Sequence, residues 1–527
     1  MLSRVLVSDP IANEGIEILS KAARVDVKTG LSKEELIAII GDYDALAVRS
    51  ETKVTAEVLE AAKNLKIIGR AGVGVDNIDV VRATERGILV VNSPEGNTIA
   101  ASELTVAMLL ALSRNIPQAD AALRNGEWKR SKYVGVEVYK KTLGVIGLGK
   151  IGREVTRRLL AFGMQVLAYD PYVSDETARQ LGVRLTDLET IYREADYITL
   201  HIPKTKDTAG MIGAKQLAIM KKGVRIVNVA RGGLIDELAL AEALKSGHVG
   251  GAAIDVYSTE PAAVDNPLLG LPNVVHTPHL GASTAEAQVN VAIDIAEQIV
   301  DVLAGNPARA AVNMPSVSHD VLSRLQPYLT LGEKIGSLLA QLASGRIDKV
   351  EVVFGGDFGD LPTVHIVRAV LKGVLDSVVP ESVNYVNAPT VAQHRGIQVI
   401  ESKRPAVDDH TCLLTVRAYS GSVNREVCGT VFGRDDISIV HIDGFRVDIK
   451  PRGAMLVTEH NDRPGIIGKV GTLLGEKKIN IGGMHVGRSG IGQRALMVLL
   501  IDEPVPAELV EDIKTLAGME SARQVQL

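Results

Sequence analysis

Three short runs bring together residue types that can oxidise a hydroxy acid: Arg231 in NVARGGLID, Glu260 in IDVYSTEP and His279 in HTPHLGAS. Hydride leaves a carbinol carbon more easily when the hydroxyl proton departs at the same time. A histidine titrates in the right range to move that proton in either direction. A carboxylate on the second ring nitrogen, the role read for Glu260, fixes the tautomer and stabilises the imidazolium. The planar fork of Arg231 suits a substrate carboxylate. Singly, each has a plainer reading: a surface ion pair for Arg231 and Glu260, a hydrogen-bonded loop residue for His279. His201, His248 and His276 show that histidine alone decides nothing. The three in this order behind a dinucleotide turn read as a catalytic set.

That turn is Gly147-Leu-Gly149-Lys150-Ile151-Gly152, which follows the strand-like run KTLGVIG. The first glycine permits the tight turn, the second lets backbone approach a pyrophosphate, and the third lets a helix pack on the strand. The amides of the following helix then face the phosphates. Asp170 ends the next apolar run, where an acid accepts from both adenine-ribose hydroxyls and repels a 2′-phosphate, so NAD is expected rather than NADP. Another glycine cluster, Gly69-Arg70-Ala-Gly72-Val73-Gly74-Val-Asp76, has no such acid after it and reads as a substrate-side loop whose amides face an anion.

These residues need a scaffold of strands that end beside one another. Arg4–Ser8, Ala45–Val48, Leu65–Ile68 and Ile88–Val91 read as strands separated by helical stretches, which implies parallel βαβ units. A long helix is expected from about Thr98 to Asn115. Six strands then follow: Leu143–Ile146, Gln165–Tyr169, Tyr197–Leu200, Arg225–Val229, Gly251–Ile254 and Val274–His276. Ser283-Thr-Ala-Glu286 has the form of a capping box opening another helix. Beyond Pro315 the pattern mixes helix with β-branched runs such as Val350–Phe354 and Thr411–Val416. The segment from Ala454 onward reads as a ferredoxin-like βαββα unit.

The 527 residues exceed one ordinary core and suggest three or four domains. Hydrophobic residues make up 46%, charged residues 23% and the net charge is −5, an ordinary globular balance without a basic stripe. No nucleic-acid or membrane partner is expected. Cys412 and Cys428 lack metal-ligand spacing and are too few for a disulfide framework, so free thiols, no metal and a cytoplasmic location are expected. The longest apolar run, Leu104 to Leu112, is too short for a membrane span.

The order GLGKIG, Asp170, NVARGGLID, DVYSTEP, HTPHLGAS resembles the D-2-hydroxyacid dehydrogenases over roughly the first 313 residues. Together with RSETKV, GRAGVGVDNID and the tail, it is similar to the long branch of that family. That branch oxidises 3-phosphoglycerate to 3-phosphohydroxypyruvate with NAD, opening serine biosynthesis. The resemblance implies an α/β chain with two Rossmann-like doubly wound domains. The substrate-binding one is discontinuous (1–97 and 283–313) around an NAD-binding one (98–282). An α+β intervening domain (314–450) and an ACT domain (451–527) follow.

It assigns catalysis to Arg231, Glu260 and His279. The cofactor side falls to Gly147, Gly149, Lys150, Ile151, Gly152, Asp170, His201, Pro203, Val229, Ala230, Arg231, Asp255, His279, Gly281 and Ala282. Arg49, Ser50, Arg70, Val73 and Gly74, with Arg231 and His279, take the substrate, since a phosphate needs cations and loop amides. His460, Asp462 and Asn480 match serine-contacting positions of the ACT module. Arg446, Lys450 and Arg452 are candidates for an anion site in the intervening domain. Trp128-Lys129-Arg130 matches a stretch that reaches a neighbouring subunit, and a homotetramer is implied. Two alternatives stay open: a glyoxylate or hydroxypyruvate reductase of the same family, and a non-enzymatic NAD-sensing regulator on the same fold.

Overall fold

The computed structural model describes residues 2–376, 378–379, 382–405, 411–421 and 423–527. The first sheet is wholly parallel. Its strands are β1 (Arg4–Val7), β2 (Arg24–Val27), β3 (Ala45–Val48), β4 (Ile67–Arg70) and β5 (Leu89–Asn92), ordered β2-β1-β3-β4-β5. Ala45–Val48 is buried throughout, as expected of a parallel strand covered on both faces. β2 escapes the sequence pattern because RVDV at the sheet edge is half exposed.

The chain leaves this lobe through the helix Thr98–Ser113. The longer helix expected to Asn115 stops there because Asn115 turns left-handed, φ 53°, and a second helix, Ile116–Arg124, begins with Pro117 in its first turn. The second sheet comprises β6 (Thr142–Ile146), β7 (Gln165–Tyr169), β8 (Arg184–Leu185), β9 (Tyr197–Leu200), β10 (Val224–Asn228), β11 (Val249–Ile254) and β12 (Val274–His276). Its parallel order is β12-β11-β10-β9-β6-β7-β8, with the chain reversing direction across the sheet beside β6. The seventh strand, β8, is two residues long and carries no periodicity to read.

The chain then returns to the first lobe. The helix Ala285–Leu303 lays Ile295 and Ile299 on Gly69 of β4, and Val312 N–H donates to the Val90 carbonyl of β5 at 2.8 Å. Its cap is Thr284, whose hydroxyl accepts from Ala287 N–H at 3.1 Å, one residue later than the sequence suggests. Ser283 is occupied elsewhere, closing the preceding turn by donating N–H to the Leu280 carbonyl at 2.8 Å.

The third sheet holds β13 (Lys349–Gly356), β14 (Gln398–Arg404), β15 (Cys412–Ser420), β16 (Val423–Phe432), β17 (Asp436–Ile442) and β18 (Phe445–Ile449), ordered β14-β13-β15-β16-β17-β18. The helices His319–Leu342 and Thr363–Asp376 cover it. The fourth sheet is antiparallel, β20-β21-β19-β22, from β19 (Ala454–Asn461), β20 (Ile481–Arg488), β21 (Arg494–Ile501) and β22 (Met519–Gln526). β22 extends the expected βαββα to βαββαβ. Only Ala522 and Val525 of this edge strand are buried, too few to signal a strand.

The two C-terminal sheets are not separate bodies. Met455, Val457, Leu496, Val498 and Val525 join Leu414, Val416, Val427 and Phe445 in one hydrophobic core. This unit docks on the first lobe through Asn384, whose side-chain amide donates to the Gly87 carbonyl at 2.7 Å, and Asn387, which donates to the Glu85 carbonyl at 3.5 Å. A cavity of about 1340 Å³ lies beside the joint. No single helix among the described residues is long and apolar enough to cross a membrane.

Candidate active site

His279 follows β12 in a loop that one buried carboxylate organises. Asp255, fully buried after β11, accepts from Thr277 hydroxyl at 2.6 Å, Leu280 N–H at 2.7 Å and Gly281 N–H at 3.0 Å. Its carbonyl accepts His279 N–H at 2.8 Å. These bonds hold His279 at φ 55°, a left-handed conformation that a side chain adopts only when its surroundings impose it. The ring then meets Glu260, Nδ1 to Oε2 at 2.7 Å, while Glu260 Oε1 accepts Tyr257 N–H at 3.0 Å. Burial opposes ionisation of Glu260, but the His279 bond, the Tyr257 amide and the charge of Arg231 outweigh it and hold its pKa below the usual range. A carboxylate-supported imidazole with a free Nε2 can take a proton from a hydroxyl and return it.

Arg231 follows β10. Its Nη1 donates to the Ala230 carbonyl at 2.7 Å, and its Nε lies 3.3 Å from Asp76 of the first lobe. Nη2 crosses Gly74 so closely that a Cβ there would stand 2.3 Å away, so a side chain at this position would displace the guanidinium. Arg70, at the end of β4, donates Nε to the Arg49 carbonyl at 3.1 Å. Burial, with repulsion from Arg231 and Arg49, lowers its pKa to about 10 against a partial offset from Asp76 and Asp9. Three guanidinium groups thus crowd one place with too little negative charge, an arrangement that an anion relieves. Ser50 is exposed beside them, and the Val73 carbonyl accepts from the Asn92 amide.

The loop bearing Arg49 and Ser50 is built on a residue outside the expected site set. Buried Asp9 accepts Arg49 N–H at 2.6 Å, Glu51 N–H at 3.2 Å and Thr52 N–H at 3.0 Å, and also the Thr52 hydroxyl. Asn77 clamps the other side, its amide donating to the Arg49 carbonyl at 3.1 Å and to the Thr52 carbonyl at 2.7 Å. Asp9-Pro10 directly after a strand was the available signal.

The glycine turn fits a dinucleotide. A Cβ at Gly152 would fall 2.0 Å from the Gly147 carbonyl oxygen, so the helix Lys150–Ala161 packs on β6 only with glycine there. Gly149 caps that helix without a side-chain bond and opens onto free space, which leaves the first amides for a phosphate. Asp170 directly follows β7 and accepts Leu148 N–H at 2.8 Å and Tyr172 N–H at 2.9 Å, which fixes its carboxylate beside the turn. Ile151 is half-buried, and Lys150 reaches across the cleft to Glu95 of the first lobe. His201 follows β9, bonds the Thr199 hydroxyl at 3.0 Å and is pushed down to about 4 by burial. Pro203 is exposed beyond it, while Val229, Ala230, Gly281 and Ala282 line the ends of β10 and the His279 loop. Asp255, expected on the cofactor side, holds the His279 loop with its oxygens.

The effector-side residues do not meet within one chain. His460 lies at the β19 end opposite Ala495 of β21, whereas Asn480 precedes Ile481, which pairs with Ile501 at the other end. Asp462 lies 3.5 Å from Arg488, and the Asn480 amide donates to Asp502 at 2.7 Å. His460 is buried with Nδ1 unpartnered among the described residues, and burial lowers its pKa. Lys450, a candidate for the anion site, is paired with Asp436 at 2.6 Å; Arg446 sits opposite His441 on β18 and Arg452 is exposed. Trp128 is exposed beside Lys129 and Arg130.

Residues 106–281 match the family described as D-isomer specific 2-hydroxyacid dehydrogenase, NAD binding domain. Residues 324–443 match the D-3-phosphoglycerate dehydrogenase intervening domain, and 454–518 the ACT domain. A D-3-phosphoglycerate dehydrogenase of Synechocystis sp. is 50% identical over 100% of this chain and 95% of its own length. One of Archaeoglobus fulgidus is 49% identical over 99% of this chain and 100% of its own. Among solved structures, D-lactate dehydrogenase from Aquifex aeolicus, complexed with NAD and lactic acid, superposes with a TM-score of 0.54 at 28% identity. It covers 59% of this chain and 100% of its own, so the likeness spans one enzyme's length and stops short of the appended domains. With its NAD-binding domain, intervening domain and ACT domain in that order, the chain belongs to the D-3-phosphoglycerate dehydrogenases of the D-isomer-specific 2-hydroxyacid dehydrogenase family.

Proposed function

We propose that the chain oxidises 3-phosphoglycerate to 3-phosphohydroxypyruvate with NAD, the opening step of phosphorylated serine synthesis. The observation that carries this reading is the convergence of Arg49, Arg70 and Arg231 beside the Glu260–His279 pair. A substrate with a carboxylate at one end and a phosphate at the other supplies charge to both ends of that cluster. An acid with a single charge, as in glyoxylate reduction, leaves Arg49 and Arg70 with only the partial offset of Asp76 and Asp9.

In this mechanism Arg231 and the backbone of Val73 and Gly74 hold the carboxylate, and Arg49, Ser50 and Arg70 hold the phosphate. His279 removes the hydroxyl proton through Nε2, and Glu260 stabilises the imidazolium that forms. NAD, when bound, supplies the hydride acceptor; Gly147, Gly149, Lys150, Ile151 and Gly152 take its pyrophosphate and Asp170 its ribose. His201, Pro203, Val229, Ala230 and Ala282 border the same site, and Asp255 holds the loop that carries His279 and Gly281.

Serine is the proposed effector, held by His460 and Asp462 of one copy and Asn480 of another. The separation of these residues across one sheet supports a site completed by assembly, and a homotetramer is the proposed form. The test is NADH formation from 3-phosphoglycerate with and without millimolar serine, with Arg49→Ala as control. Turnover suppressed by serine and crippled in Arg49→Ala supports both parts. Turnover indifferent to serine removes the effector, and NADH-dependent reduction of glyoxylate or hydroxypyruvate alone assigns the reductase instead.

A further inference from the structure

Asp76 stands where a substrate carboxylate would compete with it. It belongs to the glycine-rich loop of the first lobe, its side chain is 73% exposed, and its Oδ2 lies 3.3 Å from Arg231 Nε of the nucleotide lobe. The pair therefore bridges the cleft. Asp76 also opposes the repulsion that Arg231 and Arg49 exert on Arg70. Among the described residues the Arg231 guanidinium has one other protein bond, Nη1 to the Ala230 carbonyl, so the direction of its fork is set by that bond and by Asp76. Gly74 leaves no side chain to restrain Nη2.

We infer that Asp76 is the resting counter-ion of Arg231. It is a positioning residue that holds the guanidinium across the cleft until a substrate carboxylate takes its place. The inference rests on the carboxylate-binding role given to Arg231 above. It has two consequences of opposite sign. Asp76 competes with any carboxylate for the arginine, which weakens ground-state binding. It also keeps the fork aimed, which favours the oriented complex from which hydride leaves. Loss of the negative charge therefore lowers both KM and kcat, whereas loss of an ordinary substrate contact raises KM. Exposed ion pairs of this kind change affinities by about two- to fivefold.

The experiment compares wild type, Asp76→Asn, Asp76→Ser and Asp76→Glu in steady-state oxidation of 3-phosphoglycerate, with thermal unfolding of each variant recorded without ligand. KM and kcat are each expected to fall about two- to fivefold in Asp76→Asn and Asp76→Ser and to return toward wild type in Asp76→Glu. In parallel, oxalate is titrated into each protein with thermal unfolding as the readout, which needs no turnover. The half-saturating oxalate concentration is expected to drop by a similar factor in the Asn and Ser variants. A KM and an oxalate midpoint that rise or stay still in both variants overturn the inference. Should wild type fail to oxidise 3-phosphoglycerate, the substrate assignment fails, while the oxalate titration still decides the role of Asp76.

Discussion

Glu260 Oε2 and His279 Nδ1 are 2.7 Å apart, and the ring's Nε2 has no hydrogen-bond partner among the described residues. One nitrogen is thus committed to the carboxylate and the other is left for a hydroxyl. Replacing the charge while keeping the shape separates these functions. Glu260→Gln is expected to lower kcat by about 100-fold with NADH binding unchanged, measured by turnover and by NADH fluorescence titration. Because Glu260 titrates below the ordinary range, the pair's contribution to stability is full above the usual glutamate value and is lost as pH falls through the lower, folded one.

The crowded arginines give a prediction that requires no catalysis. A dianion placed among Arg49, Arg70 and Arg231 relieves their repulsion and binds only the folded protein, so it raises the melting temperature. Inorganic phosphate is expected to stabilise wild type in a differential scanning fluorimetry titration. Arg70→Ala should lose most of that shift while retaining the response to NADH.

Asp170 receives two backbone amides, which fix its carboxylate at the end of β7. A negative charge held there excludes a 2′-phosphate. Asp170→Ser is expected to reduce the preference for NAD over NADP by about tenfold or more, read as the ratio of the two kcat/KM values. Unchanged discrimination would move the selecting group elsewhere.

Burial sets up an acid-labile point at His201. The folded protein holds this ring down at about 4, while in the unfolded chain it titrates near 6.5. Stability is unaffected by this group above 6.5, falls as pH drops because the unfolded chain takes up the proton first, and levels off below about 4. The loss amounts to up to about 3 kcal/mol. Urea unfolding between these limits should show a flatter pH dependence in His201→Gln.

Much of the site was legible because its parts are local. The glycine turn, Asp170 and the runs bearing Arg231, Glu260 and His279 each carry their meaning within about a dozen residues, and strand ends then place them together. Asp76 was visible only as a letter in the glycine-rich loop, since its partner Arg231 is distant in sequence and on the other lobe. Asp9 was hidden in the same way: its bonds run to residues 49–52. The bonds by which Asp255 holds His279 in a left-handed conformation were hidden likewise, since they run to residues 277–281. In the fold, β8 and β22 were missed because a two-residue strand and a mostly polar edge strand offer no alternation to detect. The cap at Thr284 was misplaced by one residue because Ser283 finishes the turn before it.

The grip of Asn384 and Asn387 on Gly87 and Glu85, with Val386 buried in the first lobe's core, gives the rear half of the chain a lever on that lobe. Gly87 lies just ahead of β5, which pairs with β4, the strand ending in Arg70. The C-terminal sheets share one core, so a displacement of the last of them is expected to carry to that joint. The joint therefore touches the lobe that carries Arg49, Arg70 and Gly74, whereas Arg231 and the glycine turn lie on the other lobe. An effector bound at the tail should therefore behave as a change of grip on the acid, altering its KM more than the affinity for NADH. Cutting the purchase with Asn384→Ala and Asn387→Ala together should leave basal turnover intact and the enzyme deaf to that effector.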